Sequence, residues 1–382
     1  MKLLYVFLGF PYSGGLERKI CDHVFAMTEH GLNVQLAVIA PKGVSTINCP
    51  IRKFNSFIKW DTFLEKILSV RKKFEVLRTF VVKLDFDFLY IRYPLADWYS
   101  ERFFNDFPNV VTEHHHIETK ALRSLGDPLG YVRATLEYLY GQKVLRKVKG
   151  IVAVTNQILR YERKRAGKRI KGVVIPNGID VRSVPERSSM PKFNGRRFEM
   201  AFIANKIFRW HGLERIIHGM KRFKGSTRLV LHIAGEPPKW AKIKSVPETV
   251  NIGKRHKIVF HGFIEREYLN RVLDHAHIAI GSLALFRQGL TEASTLKVRE
   301  YTAYGIPFIY GSRDPDLEAG NADFYMRVPA NTDPIDIESV IEFYKSISTD
   351  RDLPKRMRDY AFKYMDWRVK IPKLIDFLKS LK

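Results

Sequence analysis

Apolar residues along this chain fall into two alternating patterns. Short, nearly unbroken runs recur at LLYVFLGF, NVQLAVIA, FDFLYIRYP, NVVTEHHH and GIVAVT. Between them, apolar positions recur three and four apart, from Glu17 to His30, from Leu129 to Lys149 and over NQILRYERKRAG. The runs predict strands buried on both faces, and the spaced stretches predict amphipathic helices that cover them. Strand, glycine loop, helix and strand in that order open a doubly wound parallel sheet. From Ile51 to Lys83 the pattern is aromatic and basic, with Phe63, Ile67, Val70, Phe74 and Leu77 at helical spacing. One or two amphipathic helices are expected there.

The pattern breaks once and then restarts. VVIPNGID leaves a strand through Pro176 and the turn pair Asn177-Gly178, and VRSVPERSSMPKFNGRR follows without apolar period. FEMAFIA, RLVLHIAGE, KIVFHGF, HIAIGSL and PFIYGS then read as strands, with helices over GLERIIHGMKRF, EREYLNRVLDHA and LKVREYTAYG. The fold class expected is α/β: two Rossmann-like doubly wound parallel-sheet domains facing across a cleft. They span residues 1–182 and 196–350, with a linker over 183–195. Helices over 351–382, with Trp367 between two of them, are expected to cross back to the first domain.

Composition narrows the class. A chain of 382 residues with 45% hydrophobic and 13% aromatic residues can fill two cores. Its longest apolar runs are far shorter than a membrane span. The N-terminal run lacks the small-residue cleavage site of a secretory signal. Two cysteines, Cys21 and Cys49, cannot build a disulfide framework or a metal cluster, so a reducing cytoplasm is the expected compartment. The formal charge of +25 and pI near 9.9 call for polyanions: nucleic acid, anionic lipid or phosphorylated substrates. No nucleic-acid recognition motif is visible, and none is expected as a partner. Basic residues thicken in RKFNSFIKW, VRKKFEVLR, KVLRKVKG and YERKRAGKRIKG, all in the first half. Either this is a solvated basic surface, or the first domain rests on the anionic inner face of a membrane.

Candidate chemistry concentrates between Gly289 and Pro307, in GLTEASTLKVREYTAYGIP. Glu292 and Glu300 stand eight positions apart, with Ser294 and Thr295 after the first and a helix carrying the second. Gly305 and Pro307 stop that helix. A helix start attracts phosphate, and a carboxylate accepts hydrogen bonds from the vicinal hydroxyls of a ribose. A polar loop followed by a surface helix would read the same way. Gly14 and Gly15 permit close backbone approach at the end of the first strand, as a tight turn alone also would. In NVVTEHHH the strand period puts Glu113 and His115 on one face, and His114 and His116 on the other. Consecutive imidazoles on a strand cannot meet at one zinc ion, and no metal is expected. A histidine at a parallel strand's carboxyl end suits hydrogen bonding or acid–base work. Asp314-Pro315-Asp316 reads as a helix-capping stretch.

These pieces together resemble the GT-B glycosyltransferases of family 4, the "group 1" nucleotide-sugar transferases, over essentially the full length. The matching pieces are YSGGLER, TEHHHIE, IPNGID, FRWHGLERII, VFHGF and EASTLKVREYTAYGIP, the last being the family's E-x7-E signature. The resemblance implies a sugar transfer, usually with retention and without a metal or other cofactor, from a nucleotide-diphosphate sugar to a glycan or lipid-linked acceptor. It implies that Glu300 holds the donor ribose and that Glu292 contacts the donor sugar. Backbone N–H groups at Ser294, Thr295 and Leu296 would face the diphosphate or the sugar. Lys206 or Arg209 would neutralise the diphosphate, with Gly14 and Gly15 approaching it. His115, with His114 as the neighbouring alternative, would sit by the acceptor and the reacting carbon. Asn205-Lys206…His211-Gly212 departs from the family's Gly-Arg…Lys-Gly loop, and Ala293 from its usual glycine. Lys297 is either a further phosphate contact or a solvated cation. Two other readings stand beside this one. One is a nucleotide-sugar epimerase or inverting transferase on the same fold, and the other is an inactive protein that binds membranes or polyanions.

Overall fold

A computed structural model describes residues 1–8, 14–41, 49, 53–58, 63–167, 170–238, 241–243 and 245–382. The chain forms two compact units, Met1–Ile179 with Trp367–Lys382, and Asp180–Asp366.

The first unit runs β1 (Lys2–Leu8), α1 (Gly14–Glu29), β2 (Asn33–Pro41), β3 (Lys53–Ile58), α2 (Phe63–Val81), β4 (Phe88–Arg92), α3 (Trp98–Asp106) and β5 (Val110–His114). It continues through α4 (Glu118–Arg123), α5 (Pro128–Leu145), β6 (Gly150–Ala153), α6 (Asn156–Ala166) and β7 (Gly172–Val174). The strands form one sheet in the order β3-β2-β1-β4-β5-β6-β7, and every pair is parallel. Continuous apolar strands do this because both faces are covered. Leu3 to Phe7 of β1 are all buried, with Ile20, Val24 and Met27 of α1 in the same core. The segment expected to be helical from Ile51 divides instead into a strand and a helix. β3 pairs along β2 from Leu36↔Lys53 to Pro41↔Ile58, giving β2 a second neighbour. The basic stretch RKFNSFIKW and the loop residues 9–13 fall largely outside the described residues.

The second unit runs β8 (Arg197–Lys206), α7 (Leu213–Arg222), β9 (Arg228–Glu236), β10 (Glu248–Ile252), β11 (His256–Gly262), α8 (Arg266–His275) and β12 (Ile278–Ile280). It ends with α9 (Leu296–Tyr304), β13 (Phe308–Tyr310), α10 (Pro315–Ala319), β14 (Tyr325–Arg327), α11 (Ile337–Ile347) and α12 (Leu353–Tyr364). Its sheet has the order β10-β11-β9-β8-β12-β13-β14. It is parallel except at its edge, where β10 pairs antiparallel with β11. There Gly253, at φ 65°, turns the chain straight back into β11.

The connections differ from their expected boundaries. The stretch expected as a linker is pinned to the second unit by Arg187, a buried side chain. Its Nη2 donates to the carbonyls of Asp274 and Ala276, each at 2.7 Å, at the end of α8. That is where a helix presents unpaired carbonyls to a cation. In the tail, α12 stays with the second unit, its Arg358 donating to Val184 O at 2.8 Å and Ala303 O at 3.0 Å. Only α13 (Trp367–Ser380) belongs to the first unit, where Trp367, Ile371, Leu374 and Leu378 join the core over α1. Each such side chain contributes about 1.5–3 kcal/mol of gross burial.

Candidate functional site

Open α/β sheets bind ligands beyond the carboxyl ends of their strands, where the strand order reverses. In the second unit that point lies at β8, between β9 and β12. Two loops leave it, and backbone hydrogen bonds hold them together: Leu283 N donates to His211 O at 2.9 Å, and Ala284 N to Trp210 O at 3.2 Å. Gly212 joins the first loop to α7 at φ 67°, with Leu283 and Ala284 too close to admit a side chain. Arg215, buried at the start of α7, donates to Leu283 O at 2.6 Å, Asp333 O at 2.8 Å and Asn331 Oδ1 at 2.9 Å. This guanidinium fixes the second loop. Charge alone in GLERII did not distinguish it from a surface arginine.

The cations Lys206 and Arg209 stand where β8 ends. With Phe208, Glu214, Glu236 and Arg287 they line a cavity of about 630 Å³. Arg287 is occupied, pairing with Glu214 at 2.6 Å and donating to Arg209 O at 2.6 Å. The side chains of Lys206 and Arg209 are exposed and form no ion pair among the described residues. Gly235, beside this cavity at φ 124°, carries no side chain because a Cβ would overlap the carbonyl oxygen of Ala204. Gly235→Ala is expected to cost about 2–4 kcal/mol through backbone strain and overlap, read as a lower urea midpoint.

Glu292 lies on the neighbouring connection from β12 to α9, and Lys297 and Glu300 on α9 itself, not among the residues lining the cavity. Ala293 N donates to Arg313 O at 2.9 Å and Arg313 N to Thr291 O at 3.0 Å, so the backbone at Glu292 is locked beside the end of β13. Ser294 is buried, and Thr295 caps α9 without a side-chain cap bond. The first turn, Leu296 and Lys297, therefore keeps its backbone donors at an uncapped helix start. Glu300, further along α9, pairs with Arg266 at the head of α8. Arg299 beside it is fully buried and forms ion pairs with Asp314 and Asp316. Asp314 caps α10 as expected, accepting from Asp316 N at 3.1 Å, but the guanidinium between the two acids was not anticipated.

Lys297 departs from one of the two alternatives left by the sequence, the solvated cation. Its ammonium is buried, 4.2 Å from the Phe202 ring centre, and has no hydrogen-bond partner. Burial lowers its pKa to about 7. Burial, and then the nearby Lys297, hold His211 well below the ordinary imidazole value, and its Nδ1 accepts from Phe208 N at 3.1 Å. It is not a solvated cation. An ammonium with only an aromatic face for company is costly unless an anion joins it.

In the first unit the strand period holds. Glu113 and His115 share one face and meet Lys19 of α1, whose Nζ donates to Glu113 Oε1 and His115 Nε2, both at 3.0 Å. Tyr5 donates to Glu113 Oε2 at 3.0 Å. The same Nε2 lies 3.2 Å from Glu113 Oε1, so it is held between the ammonium and the carboxylate. Burial, then Lys19, keep this imidazole neutral far below its usual pKa. Burial would raise Glu113, but Lys19 and His115 pull it well below the carboxylate range. Lys19 itself falls to about 8 through burial, against the pull of Glu113. His114 points the other way and is fully buried, bonded to Thr112 Oγ1 at 2.9 Å and stacked on Tyr93 at 4.4 Å. Gly14 and Gly15 begin α1 rather than preceding it, and a Cβ on Gly15 would meet nothing within 4 Å. Packing does not demand that glycine. Among the described residues, no group of three or more His, Cys, Asp or Glu side chains is placed to hold a metal ion.

No curated protein sequence matches the chain. Residues 13–183 match the model of Glycosyltransferase Family 4. Among solved structures, the chain is similar to the sucrose-phosphate synthase of Thermosynechococcus elongatus. The TM-score is 0.69 at 14% identity, over 100% of this chain and 98% of that one. A glycosyltransferase from Rickettsia africae gives a TM-score of 0.61 at 13% identity, over 100% and 98%. The Anabaena protein HepE, solved in complex with UDP and glucose, gives 0.61 at 13% identity over the whole of both chains. The chain therefore has the GT-B fold, and its residues 13–183 match Glycosyltransferase Family 4.

Proposed function

We propose that this protein transfers a sugar, with retention, from a nucleotide-diphosphate sugar to an acceptor hydroxyl in glycan, polysaccharide or glycolipid synthesis. The observation that carries the reading is the unpartnered ammonium of Lys297, buried in the first turn of α9. A diphosphate would supply the missing anion there, drawing also on the backbone N–H groups at the uncapped start of α9. Lys206 and Arg209 would take the charge that builds as the diphosphate leaves. Glu300 would receive the ribose hydroxyls, its carboxylate steadied by Arg266, and Glu292 would receive the donor sugar. In the step itself the bond from the sugar's anomeric carbon to the phosphate oxygen breaks. The acceptor oxygen bonds to that carbon, and its proton passes to the departing phosphate. No metal is called on for this charge.

His115 would offer its Nδ1 to the sugar or acceptor, since its Nε2 is engaged by Lys19 and Glu113. Gly14 and Gly15 would bring the backbone at the start of α1 to the diphosphate. The basic first unit would work against an anionic membrane surface, which suits a lipid-linked or growing polysaccharide acceptor. Among the described residues no helix is long and apolar enough to cross a membrane.

A panel of nucleotide sugars tests the donor assignment by thermal shift, because a ligand that binds only the native state raises its stability. A hundredfold excess over Kd is worth about 2.7 kcal/mol. One member is expected to raise the midpoint, and Glu300→Ala is expected to lose most of that shift. If no nucleotide sugar stabilises the wild type, the reading fails. Anomeric configuration of the product, read by NMR, decides between retention and inversion.

A further inference from the structure

The sequence pattern describes Leu129 to Lys149 as an ordinary amphipathic helix, and the structure does not. α5 packs a narrow stripe of Gly130, Ala134, Glu137, Gly141 and Val144 inward. On its other side Leu129, Val132, Leu136 and Leu139 are exposed, spaced three, four and three apart as on one helix face, and Leu125 is exposed in the turn before the helix. Tyr131 and Tyr138 flank them, the latter 70% exposed. Trp98 and Tyr99 of α3, which packs against α5, are exposed as well. From Leu129 to Leu139 this apolar strip is about 15 Å long. Single exposed apolar residues are ordinary, but a contiguous run of this kind marks a binding surface.

The charges around the strip say what covers it. Residues 120–149 hold seven cations and two acids. Glu137 is buried against Arg165, which leaves Asp127, capping α5 by accepting from Gly130 N at 2.7 Å, as the one exposed acid in the stretch. Lys120 and Arg123 lie before the strip and Lys147 and Lys149 after it, while Lys143 pairs with Glu101 of α3 at 3.8 Å. Lys147 Nζ donates to the neutral amide of Asn105 at 2.9 Å. A second copy would bring these like charges together. An anionic lipid surface satisfies both features, taking the leucines into the acyl boundary, the tyrosines and tryptophan at the headgroups and the cations against phosphate.

We propose that the α5 strip is the surface by which the first unit seats on an anionic bilayer. This rests on the reading that the first unit meets a membrane, not on the reaction assigned to the second. It also moves the contact away from two of the basic stretches that first suggested it. In YERKRAGKRIKG, Arg165 pairs with Glu162 and Glu137, and Arg163 donates to the carbonyls of Ile170 and Gly172. In VRKKFEVLR, Arg71 pairs with Glu75 and Arg78 with Asp106, both at 2.6 Å.

Co-sedimentation with vesicles of mixed phosphatidylglycerol and phosphatidylcholine, against phosphatidylcholine alone, tests the proposal. The wild type is expected to bind the mixed vesicles at low salt and to lose binding as salt rises. Leu136→Asp/Leu139→Asp is expected to lower partitioning about tenfold or more, with circular dichroism and donor thermal shift unchanged. Val82→Asp, at another exposed apolar position of the unit, should bind as wild type does. The proposal is overturned if the wild type ignores the mixed vesicles at low salt, or if the double variant partitions equally. A wild-type dimer that the double variant dissolves, seen by sedimentation velocity, would assign the strip to self-association instead and also overturn it. Donor binding is measured without vesicles, so either reading can fail alone.

Discussion

Lys297→Met is expected to make the unliganded protein more stable and to remove its response to the nucleotide sugar. The wild-type ammonium lies buried on the Phe202 ring with no acceptor, so folding strips its water and returns little. Methionine keeps the length and the apolar contact without the charge. Apolar replacements of buried ions commonly gain about 1–4 kcal/mol. The pH dependence separates this from a packing effect. The group's pKa is about 7 in the folded protein and near 10.5 as an ordinary lysine. Between those values the unfolded chain binds more protons than the native one, so wild-type stability rises with pH there. The variant lacks that contribution. Its advantage in Tm should be full below pH 7 and should shrink as pH climbs toward 10.5. The donor's diphosphate, by contrast, loses a buried charged partner, and affinity should fall about 10²- to 10³-fold. A variant that is destabilised, with the donor shift intact, would show that the lysine serves the fold and not the ligand.

How much of this was legible in the sequence depends on which contacts decide each feature. Buried parallel strands need continuous apolar runs, and those are visible without any partner being known, so β1, β2, β8 and β9 were readable from the hydrophobic pattern. The edge strands β3, β10 and β14 were not, because a short strand at an edge is fixed by the neighbour it pairs with. The same limit applies to charges. Glu292, Glu300 and Lys206 announce themselves by type and spacing beside a helix start or a strand end. Arg187, Arg215 and Arg299 do not, because a buried arginine and a solvated one are written with the same letter. What separates them is a set of acceptors up to 118 residues away, as with Arg215 and Asp333. Lys297 could be suspected from its place in the first turn of α9, yet only its missing partner in three dimensions gives it weight. The exposed strip on α5 was hidden for the opposite reason. Helical spacing marks an apolar face but not whether anything covers it, and here the covered face is the one with the small residues.

Arg299→Met is expected to be the most damaging single change in the second unit, lowering stability by about 3–5 kcal/mol. Arg299 is completely buried, and its guanidinium bonds both oxygens of Asp314, with Oδ1 at 2.9 Å, and Asp316 Oδ2 at 2.5 Å. That clamp ties α9, which carries Glu300 and Lys297, to the start of α10. Tyr360 of α12 also reaches α10, donating to Asp316 O at 2.6 Å. The pair as a whole need not exceed a well-packed apolar replacement, since all three groups surrender their water. Removing only the cation is different, because it leaves two carboxylates buried together without the guanidinium's charge between them. Their pKa values in the folded variant must then rise above the unfolded values near 4. The native variant therefore holds protons that the unfolded chain releases, and its stability falls as pH increases from about 4. The gap to wild type should be small in acid and wide at neutral pH, where the thermal midpoint is expected to drop by about 10 °C. Arg299→Met/Asp314→Asn should recover part of the loss, since the amide oxygen can still accept from Asp316 N and cap α10 while one charge is gone. A single variant within 1 kcal/mol of wild type at neutral pH, by urea denaturation, would show that the acids find water or another cation, and that the clamp does not hold the helix on which the donor site is built.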